Sequence, residues 1–338
     1  MRAAVVHTYG EPEGVVVEEI DRHVVLAPGT ARVAVRAAAV NYPDLLRIAD
    51  TYQVSIPLPF VPGSEFSGTV VDVAPDVGNV RVGDAVIGVT THGAFAEETV
   101  LEAWRLTRLP AGIDWRQAAA FGVTYTTCYH ALRTFAHVRP DNWVVVLGAA
   151  GGIGLAAVDI AVAMGTRVLA AASSEEKLAV ARAAGAEATV NYATEDLKKR
   201  IKEITGAGAD VVLDPVGGPA AEQSLRALRW GGRYVVVGFA SGEIPRIPLN
   251  LVLLKGVVIT GFENRTIMTH LPEVAPKHRA EVFDLLATGR LRPRIGGVYP
   301  LDDVARALRE VADRRAIGKI LVDVAASPVA TPIAVEEP

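Results

Sequence analysis

Val144-Val145-Val146-Leu147-Gly148-Ala149-Ala150-Gly151-Gly152-Ile153-Gly154 is the stretch that decides how this chain folds. Four apolar, mostly β-branched residues read as a buried strand, the small residues after them as a tight turn, and Leu155 to Met164 as an apolar helix. Small residues in such a turn let the backbone come close to a pyrophosphate. The first N–H groups of the helix then point at it with the positive end of the helix dipole. The strict G-x-G-x-x-G spacing is not present, because Ala150 stands where its second glycine would. The strand before and the helix after give the motif its weight, and Ala150, Gly151, Gly152 and Ile153 become the candidate dinucleotide contacts.

Downstream, strands and helices alternate as βαβ crossovers do, which predicts an α/β, doubly wound parallel sheet. The expected strands are Arg167 to Ala172, Thr189 to Asn191, Val211 to Leu213, Tyr234 to Val237 and Val257 to Thr260. Two intervening helices are expected over Glu175 to Ala184 and Glu195 to Thr205. In the second, Leu197, Ile201 and Ile204 share the sheet-facing side, so Lys198, Lys199, Arg200 and Lys202 point to water. The apolar stretch from Trp143 to Ala172 is not a membrane span, because Gly148, Gly151, Gly152, Gly154 and Gly165 interrupt it and Asp159 and Arg167 lie inside it. At the end of the second strand come Ser173-Ser174-Glu175-Glu176-Lys177. The hydroxyls and Lys177 suit a ribose 2′-phosphate, Glu175 could instead grip the 2′-hydroxyl of NAD, and Ser173 with Glu176 also spells a helix capping box.

Upstream the texture is all-β. Short strands at Ala3 to Val6, Val15 to Glu19, Ala31 to Val40, Gly68 to Val73, Ala85 to Val89 and Phe95 to Val100 are separated by Gly, Pro and Asp clusters. A helix is expected over Ala118 to Phe135, stopped by Pro140. After Gly261 further helices are expected at Lys277 to Thr288 and Asp302 to Arg314, with a strand at Lys319 to Val324 and a frayed tail from Ala325 to Pro338.

Composition narrows the function. The 338 residues carry 34 basic and 38 acidic side chains, a net charge of −4, so no positive field exists to hold nucleic acid or an anionic membrane. The single cysteine, Cys128, allows neither an intrachain disulfide nor a multi-cysteine zinc site, and reads as an inert helix residue. With no basic, apolar leader at the N-terminus, a reducing compartment, the cytoplasm, is expected. The seven histidines form no H-E-x-x-H or other close pair, and no metal is expected.

Several segments together carry a family resemblance: Val40-Asn41-Tyr42-Pro43-Asp44-Leu45-Leu46, Pro62-Gly63-Ser64-Glu65-Phe66-Ser67-Gly68, Gly83-Asp84-Ala85-Val86, Gly93-Ala94-Phe95-Ala96-Glu97, the glycine turn, Val190-Asn191-Tyr192 and Gly318-Lys319. Over roughly residues 1 to 324 the chain resembles the zinc-independent NADPH:quinone oxidoreductases of the medium-chain dehydrogenase/reductase superfamily. The resemblance implies a GroES-like β-rich catalytic domain, residues 1–118 and 265–338, and a Rossmann NADPH-binding domain, residues 119–264. Asn41 and Ser64 stand where zinc-dependent members place their first two ligands, and the third position falls near Val123. Without a Lewis acid, reduction of an electron-poor quinone or alkene is easier than oxidation of an alcohol. The resemblance further implies Tyr52 as proton donor or pocket wall, and Asn41 and Thr127 as residues that orient the nicotinamide and its ribose. It also implies Lys177 and Tyr192 at the 2′-phosphate (where the local reading adds Ser173), Gly238 and Phe239 beside the nicotinamide, Arg314 as a further cofactor contact, and a homodimer paired through Val257 to Thr260. Three functions stay open: a quinone reductase, a reductase of enones or enoyl-CoA esters, and a cofactor-binding protein without turnover.

Overall fold

Every residue of the strand Trp143–Leu147 is buried, as a continuous apolar run requires when helices cover both faces of a sheet. The structure, a computed structural model, describes residues 1–22 and 25–324; the expected frayed tail lies outside them. The chain divides into two units, one of residues 1–122, 295–315 and 320 onward, the other of residues 123–294 and 316–319.

The second unit holds a six-stranded sheet. In space its strands run Ala188–Asn191, Arg167–Ala172, Trp143–Leu147, Ala209–Asp214, Leu228–Val236 and Val258–Gly261, with every neighbouring pair parallel. The chain therefore enters at the middle, winds outward to one edge, and returns to wind toward the other. The reversal falls between Trp143–Leu147 and Ala209–Asp214, the point at which open α/β sheets leave a crevice at their carboxyl ends. The glycine turn emerges there. Val145, Leu147, Leu169, Val212, Leu225 and Tyr234 belong to one core cluster of this unit.

The other unit has an antiparallel pair, Arg2–Val6 with Val15–Glu19, and a seven-stranded sheet. That sheet runs Ile295–Pro300, Lys319–Asp323, Thr30–Ala39, Glu65–Val73, Ala85–Val89 and Leu106–Arg108, with Glu98–Glu102 also paired to Thr30–Ala39. Thr30–Ala39 serves three neighbours because Glu98–Glu102 pairs with its first half, Thr30 to Ala34, and Lys319–Asp323 with its last residues, Ala37 to Ala39, while Glu65–Val73 runs along it with register shifts at Arg32/Val33 and Val35/Ala37. A short helix, Tyr42–Ile48, follows it directly. Among the described residues no helix is long and apolar enough to cross a membrane.

Three expectations need correcting. The helix expected over Ala118 to Phe135 is broken into Trp115–Ala119, Thr124–Tyr129 and a π-helical segment His130–Phe135. The break centres on Gly122, where a Cβ would lie 2.8 Å from Val89 Cγ2. Residues 265–294 belong with the parallel sheet, not with the β-rich unit. Helix Ala275–Ala287 is bound there by polar contacts that no pattern announces, Tyr129 Oη donating to Glu281 at 2.5 Å and Thr134 Oγ1 lying 3.0 Å from His278 Nδ1. The helix expected from Ser173 is capped one residue later, by Ser174, whose hydroxyl accepts from the Lys177 N–H at 3.4 Å.

Candidate functional site

In the parallel-sheet unit the glycine turn is shaped by two different glycine requirements. Gly148 has φ 58°, which disfavours any side chain. Gly154 is held by packing: a Cβ there would lie 2.6 Å from Ala149 Cα and closer still to the Gly148 carbonyl oxygen. Gly151 is different, since a Cβ on it meets nothing nearer than Gly148 O at 3.6 Å. It is the N-cap of helix Gly152–Ala163 and no side chain caps that helix. The first intrahelical bond is donated by Leu155 to Gly151 O at 2.9 Å, so the N–H groups of Gly152, Ile153 and Gly154 have no acceptor within the helix. The turn is pinned from both sides, Ala149 N–H donating to Ala171 O at 3.1 Å and Gly318 N–H to Ala150 O at 2.8 Å. Lys319, buried beside Gly318, brings its Cδ within 2.9 Å of where a Gly152 Cβ would be. A backbone cradle of helix-start donors is what a pyrophosphate needs.

Tyr192 comes beside Ser173 at the carboxyl ends of two adjacent strands, and Lys177 follows in the first turn of the helix that starts there. Asn191 pairs with Ala172, and Tyr192 N–H donates to Ala172 O at 3.1 Å, which sets Tyr192 beside the segment that starts at Ser173. Ser173 is exposed and, with Ser174 as the cap, its hydroxyl is not consumed in holding the helix. Glu175, the residue that could have gripped a 2′-hydroxyl, is ion-paired with Arg182. An acid taken up by a cation leaves the surroundings of Lys177 better suited to a phosphate than to a hydroxyl pair.

Gly238 and Phe239 lie at the end of the next strand but one, and Asp214 organises them. Its carbonyl oxygen accepts from Val237 N–H at 2.8 Å and Gly238 N–H at 3.3 Å. Its carboxylate accepts from Val216 N–H at 2.7 Å, Gly217 N–H at 2.8 Å and the Tyr234 phenol. Burial pushes the Asp214 carboxyl up from its ordinary value, and these donors oppose the shift. The sequence reading missed Asp214 because a strand-end Asp carries no motif. Thr127 is buried with its hydroxyl donating to Val123 O at 2.7 Å, which leaves its oxygen as an acceptor only. Cys128 is fully buried, its thiol 3.2 Å from Ile153 O, and burial pushes its pKa upward, so it is no nucleophile. Close by, burial and then the neighbouring His278 hold His130 down at about 4.

The β-rich unit brings Asn41 and Tyr52 into one network. Asn41 caps helix Tyr42–Ile48, its N–H donating to Asp44 Oδ2 at 2.8 Å and its side-chain amide to Glu65 Oε2 at 3.1 Å. Asp44, with 1 % of its surface exposed, accepts from Arg47 at 3.2 Å, and the Arg47 guanidinium lies 4.7 Å from the centre of the Tyr52 ring. Desolvation and then the Arg47 cation hold His92 below its ordinary value. Arg314 also falls in this unit, exposed and with φ 58°. Among the described residues no three His, Cys, Asp or Glu side chains gather as a metal site. Asn41, whose amide donates to Glu65, and Ser64 offer no zinc ligand set.

Comparison with known proteins agrees with both units. Residues 27–111 match the alcohol dehydrogenase GroES-like domain and residues 152–277 the zinc-binding dehydrogenase domain, so the chain pairs a GroES-like fold with a Rossmann parallel sheet. A quinone oxidoreductase-like protein 2 homolog of Nematostella vectensis is 37% identical over 326 residues, 95% of this chain and 88% of that protein. The Bos taurus quinone oxidoreductase-like protein 2 is 38% identical over 310 residues, 91% of this chain and 88% of that one. The structure of Escherichia coli quinone oxidoreductase complexed with NADPH superimposes with a TM-score of 0.89 at 30% identity, covering 96% of this chain and 100% of that one. The fold and its glycine turn define a medium-chain dehydrogenase/reductase. Within that superfamily the chain belongs to the zinc-independent quinone oxidoreductase family of oxidoreductases.

Proposed function

We propose that this oxidoreductase reduces quinones with NADPH as the electron donor and without a metal. The observation that carries the cofactor is the pairing of Glu175 with Arg182 beside Ser173, Lys177 and Tyr192, next to a turn whose first helical N–H groups have no acceptor in the helix. The residues present fit the group. Gly151, Gly152 and Ile153 would hold the pyrophosphate, with Ala150 shaping the turn. Ser173, Lys177 and Tyr192 would hold the 2′-phosphate, with Gly238 and Phe239 beside the nicotinamide and Arg314 as a further contact.

When bound, NADPH supplies the chemistry of hydride donation. The overall change takes a quinone, NADPH and one proton to a hydroquinone and NADP⁺. Asn41 and Thr127 would orient the nicotinamide end, each already held within its own unit, Asn41 by Glu65 and Thr127 by Val123. Tyr52 is the donor of the proton to the acceptor's oxygen, as a phenol held over a cation is suited to do. The names of the relatives support a quinone as the acceptor.

The test is NADPH and NADH oxidation at 340 nm against matched panels of quinones, enones and enoyl-CoA esters, without added zinc. Turnover of quinones with a preference for NADPH is expected. Preference for activated alkenes would move the acceptor to conjugated C=C bonds, and tight NADPH binding without turnover of any acceptor would make this a cofactor-binding protein only.

A homodimer belongs to the same reading. Among the described residues Val258–Gly261 ends the order of the parallel sheet with Leu228–Val236 as its one neighbour; Leu249, Leu253 and Leu254 are exposed shortly before it in sequence, and exposed Trp230 lies against Gly256. An open edge flanked by exposed apolar side chains supports pairing with a second copy. Sedimentation at micromolar concentration is expected to give twice the chain mass, falling to one chain mass in Leu253→Asp; a monomer in the unmodified protein would overturn it.

A further inference from the structure

We propose that Arg47 is a positioning residue for acceptor reduction, holding Tyr52 in place and coupling it through Asp44 to Asn41. This rests on the reading of Tyr52 as the proton donor. Helix Tyr42–Ile48 ends beside Arg47, and Asp50, at φ 53°, turns the chain back. Thr51 N–H then donates to Leu46 O at 2.8 Å, and the next residue, Tyr52, is laid over the guanidinium at 4.7 Å. Arg47 is itself only 8 % exposed, a costly place for a cation. Asp44 neutralises it, yet the capping of Asn41 needs Asp44 alone, so a helix cap does not account for a buried arginine three residues further on. The ring of Tyr52 does account for it, because a guanidinium against an aromatic face both stacks and attracts, and so limits where the phenol can point. Removing the arginine takes the guanidinium from the face of the Tyr52 ring and its ion pair from Asp44, while the glycine turn belongs to the other unit and keeps its own hydrogen bonds.

The test is a double-mutant cycle of Arg47→Met with Tyr52→Phe, read as kcat for the preferred acceptor together with KM for NADPH. Tyr52→Phe is expected to lower kcat about a hundredfold. Arg47→Met is expected to lower it about tenfold in the parent and to have no further effect beside Tyr52→Phe, with KM for NADPH within about twofold. Arg47→Lys, which keeps the charge but not the planar fork, is expected to restore kcat to within about threefold of the parent. Should Arg47→Met not fold, Arg47→Lys carries the same cycle, its smaller loss again vanishing beside Tyr52→Phe. A loss of equal size in both backgrounds, or one that falls on KM for NADPH, overturns the role of Arg47 while leaving Tyr52 as donor. Unchanged turnover in Tyr52→Phe itself overturns the reading of Tyr52, and this inference with it.

Discussion

The glycine turn of the parallel-sheet unit and the Asn41 to Tyr52 segment of the β-rich unit build their sites from opposite materials. The turn is made of backbone. Its donors are the N–H groups of Gly152, Ile153 and Gly154, and its shape comes from where side chains are forbidden, at Gly148 and Gly154. The Asn41 to Tyr52 segment is made of side chains, a series of hydrogen bonds and one ring contact running Glu65, Asn41, Asp44, Arg47, Tyr52. A backbone site tolerates many outward side chains and few inward ones. A side-chain network depends on each member, because removing one takes a hydrogen bond or ring contact from its neighbour.

The comparison can be broken most directly at two glycines. Gly154→Ala forces a Cβ against Gly148 and Ala149, and is expected to cost about 3 kcal/mol in stability and to abolish NADPH binding. Gly151→Ala has room, so its melting temperature is expected to stay close to the parent's while NADPH affinity falls by more than about tenfold, since the added methyl occupies the phosphate's approach. Thermal melts and fluorescence titrations of the pair decide it; equal behaviour would show that the turn is held by packing alone.

Lys177→Ala probes the one place where the nucleotide site relies on a side-chain charge. NADPH affinity is expected to fall about thirtyfold and NADH affinity by less than about twofold, the difference being a charge-assisted contact to the 2′-phosphate. Equal losses would remove Lys177 from that site.

Acid offers a way to load the parallel-sheet unit. His130 faces His278 and Thr134, with Tyr129, Arg133 and Glu281 close by on the same packed helices. Its folded value of about 4 lies below the ordinary 6.5, so the unfolded chain binds more protons between those two values. Stability is therefore fully present above 6.5 and is lost as the pH falls toward 4, by about 2 kcal/mol at pH 5. Denaturant melts from pH 7 to pH 5 are expected to flatten in His130→Gln; an unchanged slope would show that His130 titrates normally.

The smallest effect separates two adjacent serines. Ser174→Ala removes the helix cap and is expected to cost about 1 kcal/mol, whereas Ser173→Ala leaves stability alone and weakens NADPH several-fold. The reverse pattern would restore Ser173 as the cap.

Legibility follows the same division. The strand, the glycine turn and the run of alternating elements could be read from residue order because each depends on local patterning: an apolar run buried on both faces, glycines at fixed offsets, and Leu197 and Ile201 on one side of their helix. The split of the expected 118–135 helix could not be read, since Ala-rich sequence favours helix, whereas the break falls at Gly122, where a Cβ would meet Val89 and Ile87 of a distant strand. The assignment of residues 265–294 to the parallel-sheet unit was hidden for the same reason, resting on Tyr129 with Glu281 and on Asp159 accepting from Arg292 N–H at 2.9 Å.

The sequence by itself determined the class of fold, the position of the nucleotide turn and the candidates Ser173 and Lys177, because backbone conformation and residue chemistry are local properties, while Asn41, Tyr192 and Tyr52 were indicated by the family resemblance. Only the tertiary structure decided that Ser174 and not Ser173 caps its helix, that Glu175 is engaged by Arg182, that Asp214 fixes the turns on either side of it, and that Arg47 joins Asn41 to Tyr52. Each of these is a contact between particular atoms in three dimensions, and spacing along the chain does not specify which of several nearby partners a side chain will take.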